Sequence, residues 1–538
     1  MSVLGNTKSD CYRKTHQVEL GGAGGKTWYL TRGDLSDESW REVSRGRSSG
    51  EAPEKAWSEG PKDYETDHFD HLRAEARSCP KPPDVATAAA IGREDAQGNR
   101  WIPVWSKSWG SKPRRERRRK EKVLNEELME RVLSPGNVQM AYERVKANGG
   151  AAGVDGIDVT AYGEHAARHW PGIEAKLKAG EYRPGAIRGV NIPKPQGGER
   201  RLGIPNVQDR VIQQALLQVL SPIFEGEFSD HSYGYRPGRS AHDAVEAARG
   251  YVLAGKDWVV DVDISAFFDE VDHDILMAKI GRKVRDKRVL KLIGRYLRAP
   301  IRQNGETEQR TRGTPQGGPL SPLLANIYLD ALDQELERRG LSYCRYADDV
   351  AIFVSSERSG ERVLASLTEW IAQHLKLRVN GTKSGTGRPW NGKFLGFRIT
   401  GNGRIAAAQA SLDKLKDSVR RIWDAQVCLS LEERIERWQQ YIRGWSNYFA
   451  LCEYRRPIQV LESWMRRHMR KYFWQRWHNR KGRANALRRL GAKPYHQNQA
   501  SGSAGTWRVA RSPLLQTVLN NNRLRHWGLY VPSDFATL

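Results

Sequence analysis

The sequence has few cysteines and no long, uninterrupted apolar run. Its five cysteines are scattered, odd in number and form no C-x-x-C pair; they are Cys11, Cys79, Cys344, Cys428 and Cys452. This pattern supports neither a disulfide framework nor a zinc finger. No run approaches the roughly 18 apolar residues of a membrane-spanning helix, and the N-terminus shows no charged-then-apolar secretory pattern. We therefore expect a soluble, cytoplasmic protein with no membrane partner.

Positive charge is what the sequence has in excess. Its 88 Lys and Arg residues outnumber 63 Asp and Glu residues, which gives a formal net charge of +25. Two segments hold most of this excess: residues 112–122 contain 8 basic and 2 acidic residues, and residues 441–538 contain 18 and 3. Concentrated positive charge is typical of proteins that bind a polyanion, because each neutralised phosphate releases counterions. We expect nucleic acid rather than anionic membrane as the partner, although residues 112–122 alone also fit a solvated linker or a localisation-like patch.

The chain divides into an irregular N-terminal part and a longer globular part. Residues 1–122 lack sustained periodicity and end in the basic run, so we expect them to be a poorly structured extension. Residues 137–150 predict a helix that ends on glycines. Residues 187–205 predict two short strands joined by a Pro/Gly loop, and the apolar residues from Val207 to Leu220 keep the spacing of a core-facing helix.

Carboxylates stand next to apolar runs at two places. The segment DWVVDVD predicts a buried strand with Asp261 and Asp263 on one face. The segment RYADDV places Asp348 and Asp349 between two apolar runs, where both can approach one point only if the chain bends as a hairpin does. By itself, such a pair also fits an ordinary polar hairpin tip. Clustered or buried carboxylates need a cation, and their hard oxygen atoms suit Mg²⁺ or Mn²⁺.

Two further segments have the composition of substrate-binding loops. The predicted hairpin at IRGVNIPKPQGGERRLGIP carries Lys194, Arg200 and Arg201, which are well placed for a triphosphate, although an ordinary solvated loop can carry the same charges. The segment GTPQGGPLSPLLANIYLD predicts a Gly/Pro loop followed by a helix with Ser321 as its N-cap and Pro322 in its first turn.

The order of these motifs resembles a known family, the group II intron reverse transcriptase/maturases. The resemblance extends over roughly residues 125–538 and rests on VDGIDV, IPKPQGGERRLGIP, SYGYRPGRSAHDAV, DVDISAFFDEVDH, TPQGGPLSPLLANIYLD, RYADDV, LRVNGTKSGTG and KFLGF. It implies an α+β right-hand polymerase fold, in which fingers and palm combine an antiparallel sheet with packed helices. The implied domains are an N-terminal and fingers region at 123–255, a palm at 256–405 and an α-helical thumb or X domain at 406–538.

The resemblance also implies the roles of individual residues. Asp263, Asp348 and Asp349 match the family's catalytic carboxylates, which hold two Mg²⁺ ions, with Mn²⁺ as a substitute; Asp261 is the alternative to Asp263. The residues implied for nucleotide binding are Lys194, Arg200, Phe268, Gln316 and Lys383, with Arg201 as a rival to Arg200. Phe268, five residues after Asp263, would favour deoxynucleotides. The residues implied near primer and template are Tyr346 and Gly396.

Beyond residue 425 the sequence predicts basic helices. Ser430 and Glu433 form a capping-box pattern. The core stripe predicted after them is Leu431, Ile435, Trp438, Ile442 and Trp445. YIRGWSNYF resembles the family's thumb motif, and residues 463–483 interleave aromatic with basic residues as an RNA-facing surface does, although a solvated basic helix has the same composition. The candidate RNA-binding residues are Arg443, Arg466, Arg467, Arg470, Lys471 and Arg476.

The implied function is an RNA-directed DNA polymerase that extends a primer on intron RNA during retrohoming and binds that RNA to assist splicing. Its implied partners are group II intron RNA, target DNA and dNTPs, in the nucleoid-associated cytoplasm of a prokaryote. The alternatives are a splicing cofactor that only binds RNA and a domesticated reverse transcriptase of the retron or defence type. The three acids favour polymerisation. Since the paired cysteines of an HNH endonuclease module are missing, we expect no second-strand cleavage by this polypeptide.

Overall fold

The computed structural model describes residues 18–21, 27–30, 127–193, 198–495 and 505–535. The chain forms two units. One runs to Ser418 and includes Tyr448–Ile458, and the other contains Val419–Asn447 and the residues from Gln459 onward. The segments expected as fingers and palm, residues 123–405, lie within the first unit.

Most of the N-terminal segment that we expected to be poorly structured lies outside the described residues. Two strands in it are described, β1 (Val18–Gly21) and β2 (Thr27–Leu30), and they pair in antiparallel fashion. No local sequence pattern indicates this pairing. The basic run at residues 112–122 also lies outside the described residues.

The first unit mixes helices and strands, which confirms the α+β expectation. Its further strands are β3 (Ile187–Pro193), β4 (Glu199–Ile204), β5 (Trp258–Asp263), β6 (Ile301–Gln303), β7 (Glu306–Glu308), β8 (Ser342–Tyr346), β9 (Asp349–Val354), β10 (Gly385–Gly387), β11 (Phe397–Ile399) and β12 (Ile405–Ala407). Its helices are α1 (Leu128–Val132), α2 (Pro135–Asn148), α3 (Tyr162–Lys178), α4 (Val207–Glu225), α5 (Ala241–Leu253), α6 (Phe267–Glu270), α7 (His273–Gly281), α8 (Lys287–Leu297), α9 (Ser321–Arg338) and α10 (Glu357–Leu375).

Several elements match the sequence predictions closely. Helix α2 is the predicted helix at 137–150, and it ends before Gly149, whose φ of 65° no longer continues a helix. Helix α4 buries the predicted apolar stripe. The prediction for Ser321 was wrong: α9 begins at Ser321 with Leu320 in the N-cap position, and the Ser321 hydroxyl instead donates to the Pro315 carbonyl at 2.7 Å.

One four-stranded sheet has the order β4-β3-β6-β7. Strands β3 and β4 form the predicted hairpin, with Arg200 opposite Ile192 and Arg201 opposite Asn191. The tip of this hairpin, including Lys194, lies outside the described residues. Strand β6 joins β3 in parallel, over a pairing distant in sequence that the local pattern could not predict.

The second four-stranded sheet is antiparallel throughout and has the order β10-β5-β9-β8. Because strand side chains alternate between faces, Val260 and Val262 of β5 point into the large core shared with α9 and α10. Val259 and Phe353 point the other way, into a smaller cluster with α5. Helices therefore pack on both faces of this sheet.

From Gln409 onward the described residues form helices. They are α11 (Gln409–Ile422), α12 (Leu431–Tyr448), a 3₁₀ turn at Phe449–Leu451, α13 (Arg456–Arg476), α14 (Arg480–Arg489), α15 (Thr506–Val509), α16 (Pro513–Val518), α17 (Asn521–His526) and α18 (Pro532–Phe535). None of the helices in the described ranges has both the length and the apolar character that crossing a bilayer requires.

The start of α12 confirms the predicted capping box. The Glu433 backbone N–H donates to the Ser430 hydroxyl at 3.1 Å, and the Ser430 N–H donates to the Glu433 carboxylate at 3.0 Å. The stripe from Leu431 to Ile442 is buried as predicted, whereas Trp445 is only half-buried. Trp438 is fully buried, with its ring centroid 5.8 Å from that of Trp423.

Candidate active site

Asp263 ends β5 and Asp349 begins β9, and the two residues face each other in the antiparallel register. Asp261 lies on the same face of β5 but faces Ala351. Two residues along a strand span about 7 Å, so Asp261 stands one step further from the end of the sheet. The register therefore brings Asp263, rather than Asp261, next to the acidic hairpin.

The hairpin between β8 and β9 has a two-residue turn. Tyr346 pairs with Asp349, which leaves Ala347 and Asp348 as the turn residues. Ala347 has a φ of 59°, a left-handed conformation that costs an L-residue roughly 1–2 kcal/mol. The predicted hairpin is thus present, and its turn places Asp348 beside Asp349 at the end of the sheet.

The acids at this end of the sheet disfavour one another's charge. Burial raises the pKa of Asp349 to about 6, and the neighbouring Asp348 and Asp263 carboxylates contribute to this shift. Burial also raises the pKa of Asp348, with Asp263 contributing in the same direction. The pKa of Asp261 rises to about 6 through burial and, secondarily, through Asp349. Four carboxylates therefore share one electrostatic environment.

Cationic side chains from separate segments counteract this repulsion in part. Arg200 of β4 lowers the pKa of Asp348, and Lys383 and Lys393 lower that of Asp349. Lys393 was not among the predicted site residues, although it is the first residue of the KFLGF motif. Anionic groups and cationic groups are thus brought together from segments far apart in the sequence.

The carboxylates offer the oxygen ligands that a metal site needs, but they are not arranged as a complete coordination shell. Within the residues that the structure describes, no three His, Cys, Asp or Glu side chains are arranged so as to hold a metal ion. The oxygen atoms of Asp263, Asp348 and Asp349 nevertheless suit a hard divalent cation, which is also what their mutual repulsion calls for.

Arg200 and Arg201, which the sequence left as rivals, have different surroundings. Adjacent strand residues point to opposite faces. The Arg201 guanidinium pairs with Glu308 of β7, whereas the charge of Arg200 acts on Asp348. Arg200 is therefore the one that belongs to the acidic end of the second sheet.

The Gly/Pro loop before α9 connects Phe268 to strand β4. The Thr314 N–H donates to the Phe268 carbonyl at 2.6 Å, and the Gly203 N–H donates to the Gln316 carbonyl at 2.8 Å. Gly313 has a φ of 81°, and a Cβ there would lie 2.6 Å from the Asp269 carbonyl oxygen, so only glycine fits. The half-buried Phe268 ring and Gln316 are thereby held by one loop.

Lys383 lies in a turn bound to the end of β5. The Asn380 N–H donates to the Asp263 carbonyl at 2.8 Å, and the Lys383 N–H donates to the Asn380 carbonyl at 3.1 Å. The Asp263 N–H in turn donates to the Ser384 hydroxyl at 2.9 Å. These backbone contacts explain why the ammonium of Lys383 affects Asp349, the partner of Asp263 across the sheet.

Gly396 lies in a tight backbone contact. Its φ is 82°, and its carbonyl accepts from the Ser411 hydroxyl at 2.8 Å and from the Ala408 N–H at 3.0 Å. Next to it, the Leu395 carbonyl accepts from the Tyr448 hydroxyl at 2.7 Å. Burial raises the pKa of Tyr448 to about 12, and Tyr346 contributes to the shift, so Tyr346 lies near this segment.

The basic residues predicted to bind RNA are not equally accessible. Arg443 and Arg476 are exposed, whereas Arg466, Arg467 and Lys471 are half-buried. The Arg467 guanidinium lies 4.6 Å from the centroid of the Trp507 ring, and Arg466 pairs with Glu462.

Arg470 does not fit the prediction of an RNA contact. It is buried, its Nε donates to the Leu519 carbonyl at 2.9 Å and its Nη2 donates to Asn521 Oδ1 at 3.0 Å. A guanidinium used in this way joins helices of its own unit and is not available to a phosphate. Its basic neighbours Arg466, Arg467 and Lys471 are half-buried, whereas Arg470 lies on the packed face of the helix.

Two family models match consecutive parts of the chain. The model described as "Reverse transcriptase (RNA-dependent DNA polymerase)" matches residues 192–399, which contain Asp261, Asp263, Asp348 and Asp349. The model described as "Group II intron, maturase-specific domain" matches residues 412–491, within the helical part.

Individual proteins also match parts of this chain. Protein YkfC of Escherichia coli (strain K12) is 32% identical over 287 residues, which cover 46% of this chain and 75% of that protein. Group II intron-encoded protein LtrA of Lactococcus lactis subsp. cremoris is 38% identical over 204 residues, or 38% of this chain and 34% of LtrA. The putative COX1/OXI3 intron 1 protein of Saccharomyces cerevisiae is 30% identical over 225 residues, or 40% of this chain and 26% of that protein. The chain thus spans three quarters of one relative but about a third or less of the other two.

Proposed function

Because the chain belongs to the family of group II intron-encoded reverse transcriptases and maturases, we propose that it is an RNA-directed DNA polymerase that also binds intron RNA to assist splicing. The observation that carries the polymerase proposal is the register that sets Asp263 opposite Asp349, with Asp348 in the adjoining turn. We assign the fingers to residues 123–255, the palm to residues 256–405 and the thumb or X domain to the helices that follow.

Asp263, Asp348 and Asp349 are the residues that would hold divalent cations, for which we propose two Mg²⁺ ions. When bound, Mg²⁺ lowers the pKa of a primer 3′-hydroxyl and neutralises the charge that develops on the departing pyrophosphate. Asp263 and Asp348 are half-buried, which supports this role because charges act more strongly where water is partly excluded.

The cations and the loop around the acids support a nucleotide site. Arg200, whose charge already reaches Asp348, would bind the triphosphate together with Lys194. Lys383, held against the end of β5, would donate to the departing phosphates. Phe268 would pack against the sugar and leave no room for a 2′-hydroxyl, and Gln316, in the loop that holds Phe268, would contact the same nucleotide. Tyr346 and Gly396 would contact the primer terminus.

The exposed arginines of the helical part support RNA binding. Arg443 and Arg476 lie on the surface, and residues 441–538 carry 18 basic and 3 acidic residues. We propose that this charge binds the phosphates of group II intron RNA, and that target DNA is the second nucleic acid bound. A protein acting only as a splicing cofactor would have the same basic surface without a need for the acids, so the two functions can be separated by experiment.

Primer extension on an RNA template with dNTPs and Mg²⁺ tests the proposal. Wild-type protein should extend the primer, and Asp348→Ala should reduce extension by on the order of a thousandfold or more, equivalent to roughly 4 kcal/mol. Binding of the same RNA should stay unchanged. The matched control is Asp274→Ala, which removes an exposed carboxylate at the start of α7. Equal extension by wild type and Asp348→Ala would refute the site. Wild-type protein that promotes splicing without extending a primer would favour the cofactor function.

A further inference from the structure

Arg345 is a fully buried arginine two residues before Ala347, the first residue of the acidic turn. It lies on β8, and its partner is Asp333 of α9; both side chains are 0% exposed. The Arg345 Nε donates to Asp333 Oδ1 at 2.7 Å, and its Nη2 donates to Asp333 Oδ2. The pair therefore has the two-bond geometry that an arginine and a carboxylate form best.

The remaining guanidinium nitrogen connects this ion pair to the turn. The Arg345 Nη1 donates to the Ala347 carbonyl at 2.9 Å and to Asn326 Oδ1 at 3.0 Å. Ala347 is the residue in the left-handed conformation, and Asp348 follows it directly. Arg345 thus holds the turn against two side chains of one long helix, which themselves occupy fixed places in the core.

A second contact encloses the turn from another side. A Cβ on Gly234 would lie 2.3 Å from the Ala347 nitrogen, so the backbone of Gly234 packs directly on the turn. The Gly234 carbonyl accepts from Asn326 Nδ2 at 2.9 Å. Asn326 therefore joins both contacts, since its oxygen accepts from Arg345 and its nitrogen donates to Gly234.

Stability alone does not explain this arrangement. A buried ion pair loses so much hydration that apolar residues of similar volume are often equally stabilising, and an alanine at positive φ is strained where glycine is not. What the arrangement does supply is a single orientation of the turn, because the Ala347 carbonyl and both ends of the Asn326 amide each have a fixed partner.

We propose that Arg345 is a positioning residue for the carboxylates. With Asp333 and Asn326 it fixes the Ala347 carbonyl, and so holds Asp348 and Asp349 in the orientation that they need to act with Asp263. This inference rests on the proposed polymerase function. Lysine cannot replace Arg345, because an ammonium lacks the planar fork that contacts Asp333 on one side and reaches Asn326 and Ala347 on the other.

The test replaces the ion pair as a whole, so that no uncompensated charge is left in the core. The double variant Arg345→Met/Asp333→Leu should keep its thermal unfolding temperature and its RNA affinity close to wild type. Its rate at saturating dNTP should fall roughly a hundredfold, as expected for misplacing a reacting group by about 1 Å. The Mg²⁺ concentration that gives half-maximal extension should rise, while KM for dNTP changes little. A purely structural role would leave the Mg²⁺ requirement unchanged.

Asn326→Ala is the second variant, because it removes the link to Gly234 and one link to Arg345 while leaving the ion pair intact. It should raise the Mg²⁺ requirement in the same direction. The matched control is Arg288→Met, which removes an arginine that pairs with Glu130 and Asp286 away from the turn. If Asn326→Ala and the folded double variant both keep the wild-type rate and Mg²⁺ requirement, the positioning role is wrong. If wild-type protein itself does not extend primers, the proposed function fails instead.

Discussion

Asp263 and Asp349 stand directly opposite each other on neighbouring antiparallel strands of one sheet. The Cβ atoms of residues paired in this way lie about 4.5–5.5 Å apart, and like charges at that separation repel each other. Burial and the neighbouring acids raise the pKa of Asp349 to about 6. At neutral pH the Asp349 carboxylate is therefore mostly ionised, and its charge destabilises the folded protein unless a cation neutralises it.

Removing one of these charges should stabilise the protein when divalent cations are absent. In EDTA at about pH 7, we expect Asp349→Asn to raise the free energy of unfolding by roughly 1 kcal/mol, because the raised pKa of Asp349 opposes its ionisation while solvent screens the exposed side chain. Adding Mg²⁺ should raise the melting temperature of the wild type more than that of the variant. Thermal unfolding with EDTA and with Mg²⁺ measures both effects.

The control for this experiment is Asp274→Asn, an exposed acid for which neither the EDTA stability nor the Mg²⁺ response should change by more than about 0.5 kcal/mol. A result in which Asp349→Asn is less stable than the wild type in EDTA would show that repulsion does not dominate the energetics of this site.

The alternation of the sequence places Asp261 and Asp263 on the same face of β5, but the strand register gives them different partners. Only Asp263 faces Asp349, whereas Asp261 faces Ala351. We expect Asp263→Asn to lower primer extension by on the order of a thousandfold, and Asp261→Asn to lower it by about tenfold or less. Single-turnover extension rates at saturating Mg²⁺ compare the two directly. Equal losses in both variants would mean that Asp261 acts in the reaction as well.

The acidic end of the sheet could be predicted from the sequence because its signals are local. Alternation placed Asp263 among core valines on a strand, and the adjacency of Asp348 and Asp349 required a turn, which Ala347 makes. Each of these inferences needs only residues within a few positions of one another.

The contacts that hold the turn could not be predicted in this way. A basic residue within the apolar run SYCRY signals that Arg345 needs a buried partner, but nothing local says that the partner is Asp333. Arg470 shows the same limit: its helical neighbourhood is basic, and only the packing of Leu519 and Asn521 turns it inward. The pairing of β6 with β3 likewise depends on chain segments more than a hundred residues apart.

Exposed and buried arginines of the helical part should respond differently to substitution. Neutralising Arg443 and Arg476, both exposed, should weaken RNA binding and reduce the salt dependence of affinity by about 0.7–0.9 in log–log slope for each phosphate that is no longer neutralised. Filter binding of a structured RNA at several salt concentrations measures the slope. An unchanged slope would place the phosphate-binding residues elsewhere.

Arg470→Gln provides the contrast within the same helix as Arg476. Because it leaves the Leu519 carbonyl and Asn521 without a partner, we expect a decrease of about 1–3 kcal/mol in the free energy of unfolding. Affinity for RNA should then follow the fraction of folded protein and show the wild-type salt slope.

Asp209 is a buried acid that is not one of the clustered carboxylates, and it should make stability depend on pH. It is 2% exposed, and its carboxylate accepts from the Tyr182 hydroxyl at 2.8 Å, the Tyr296 hydroxyl at 3.3 Å and the Gly185 N–H at 3.0 Å. These donors favour the ionised form, but burial outweighs them and raises the pKa of Asp209 from 3.8 to about 6. The folded protein therefore binds this proton more tightly than the unfolded chain does.

A pKa that is higher in the folded state makes stability fall as pH rises from the unfolded value of 3.8 through about 6. The Asp209→Asn variant has no carboxyl group to ionise at this position. Its free energy of unfolding, relative to that of the wild type, should therefore increase by about 1 kcal/mol between about pH 5 and about pH 7.5. Asp261, Asp330 and Asp349 have raised pKa values too, but they are present in both proteins, so their contributions cancel in the difference. The hydrogen bonds that the variant cannot form change its stability equally at both pH values. Urea unfolding of the two proteins at both pH values isolates the Asp209 contribution, and a difference that does not change with pH would mean that Asp209 keeps an ordinary pKa in the folded protein.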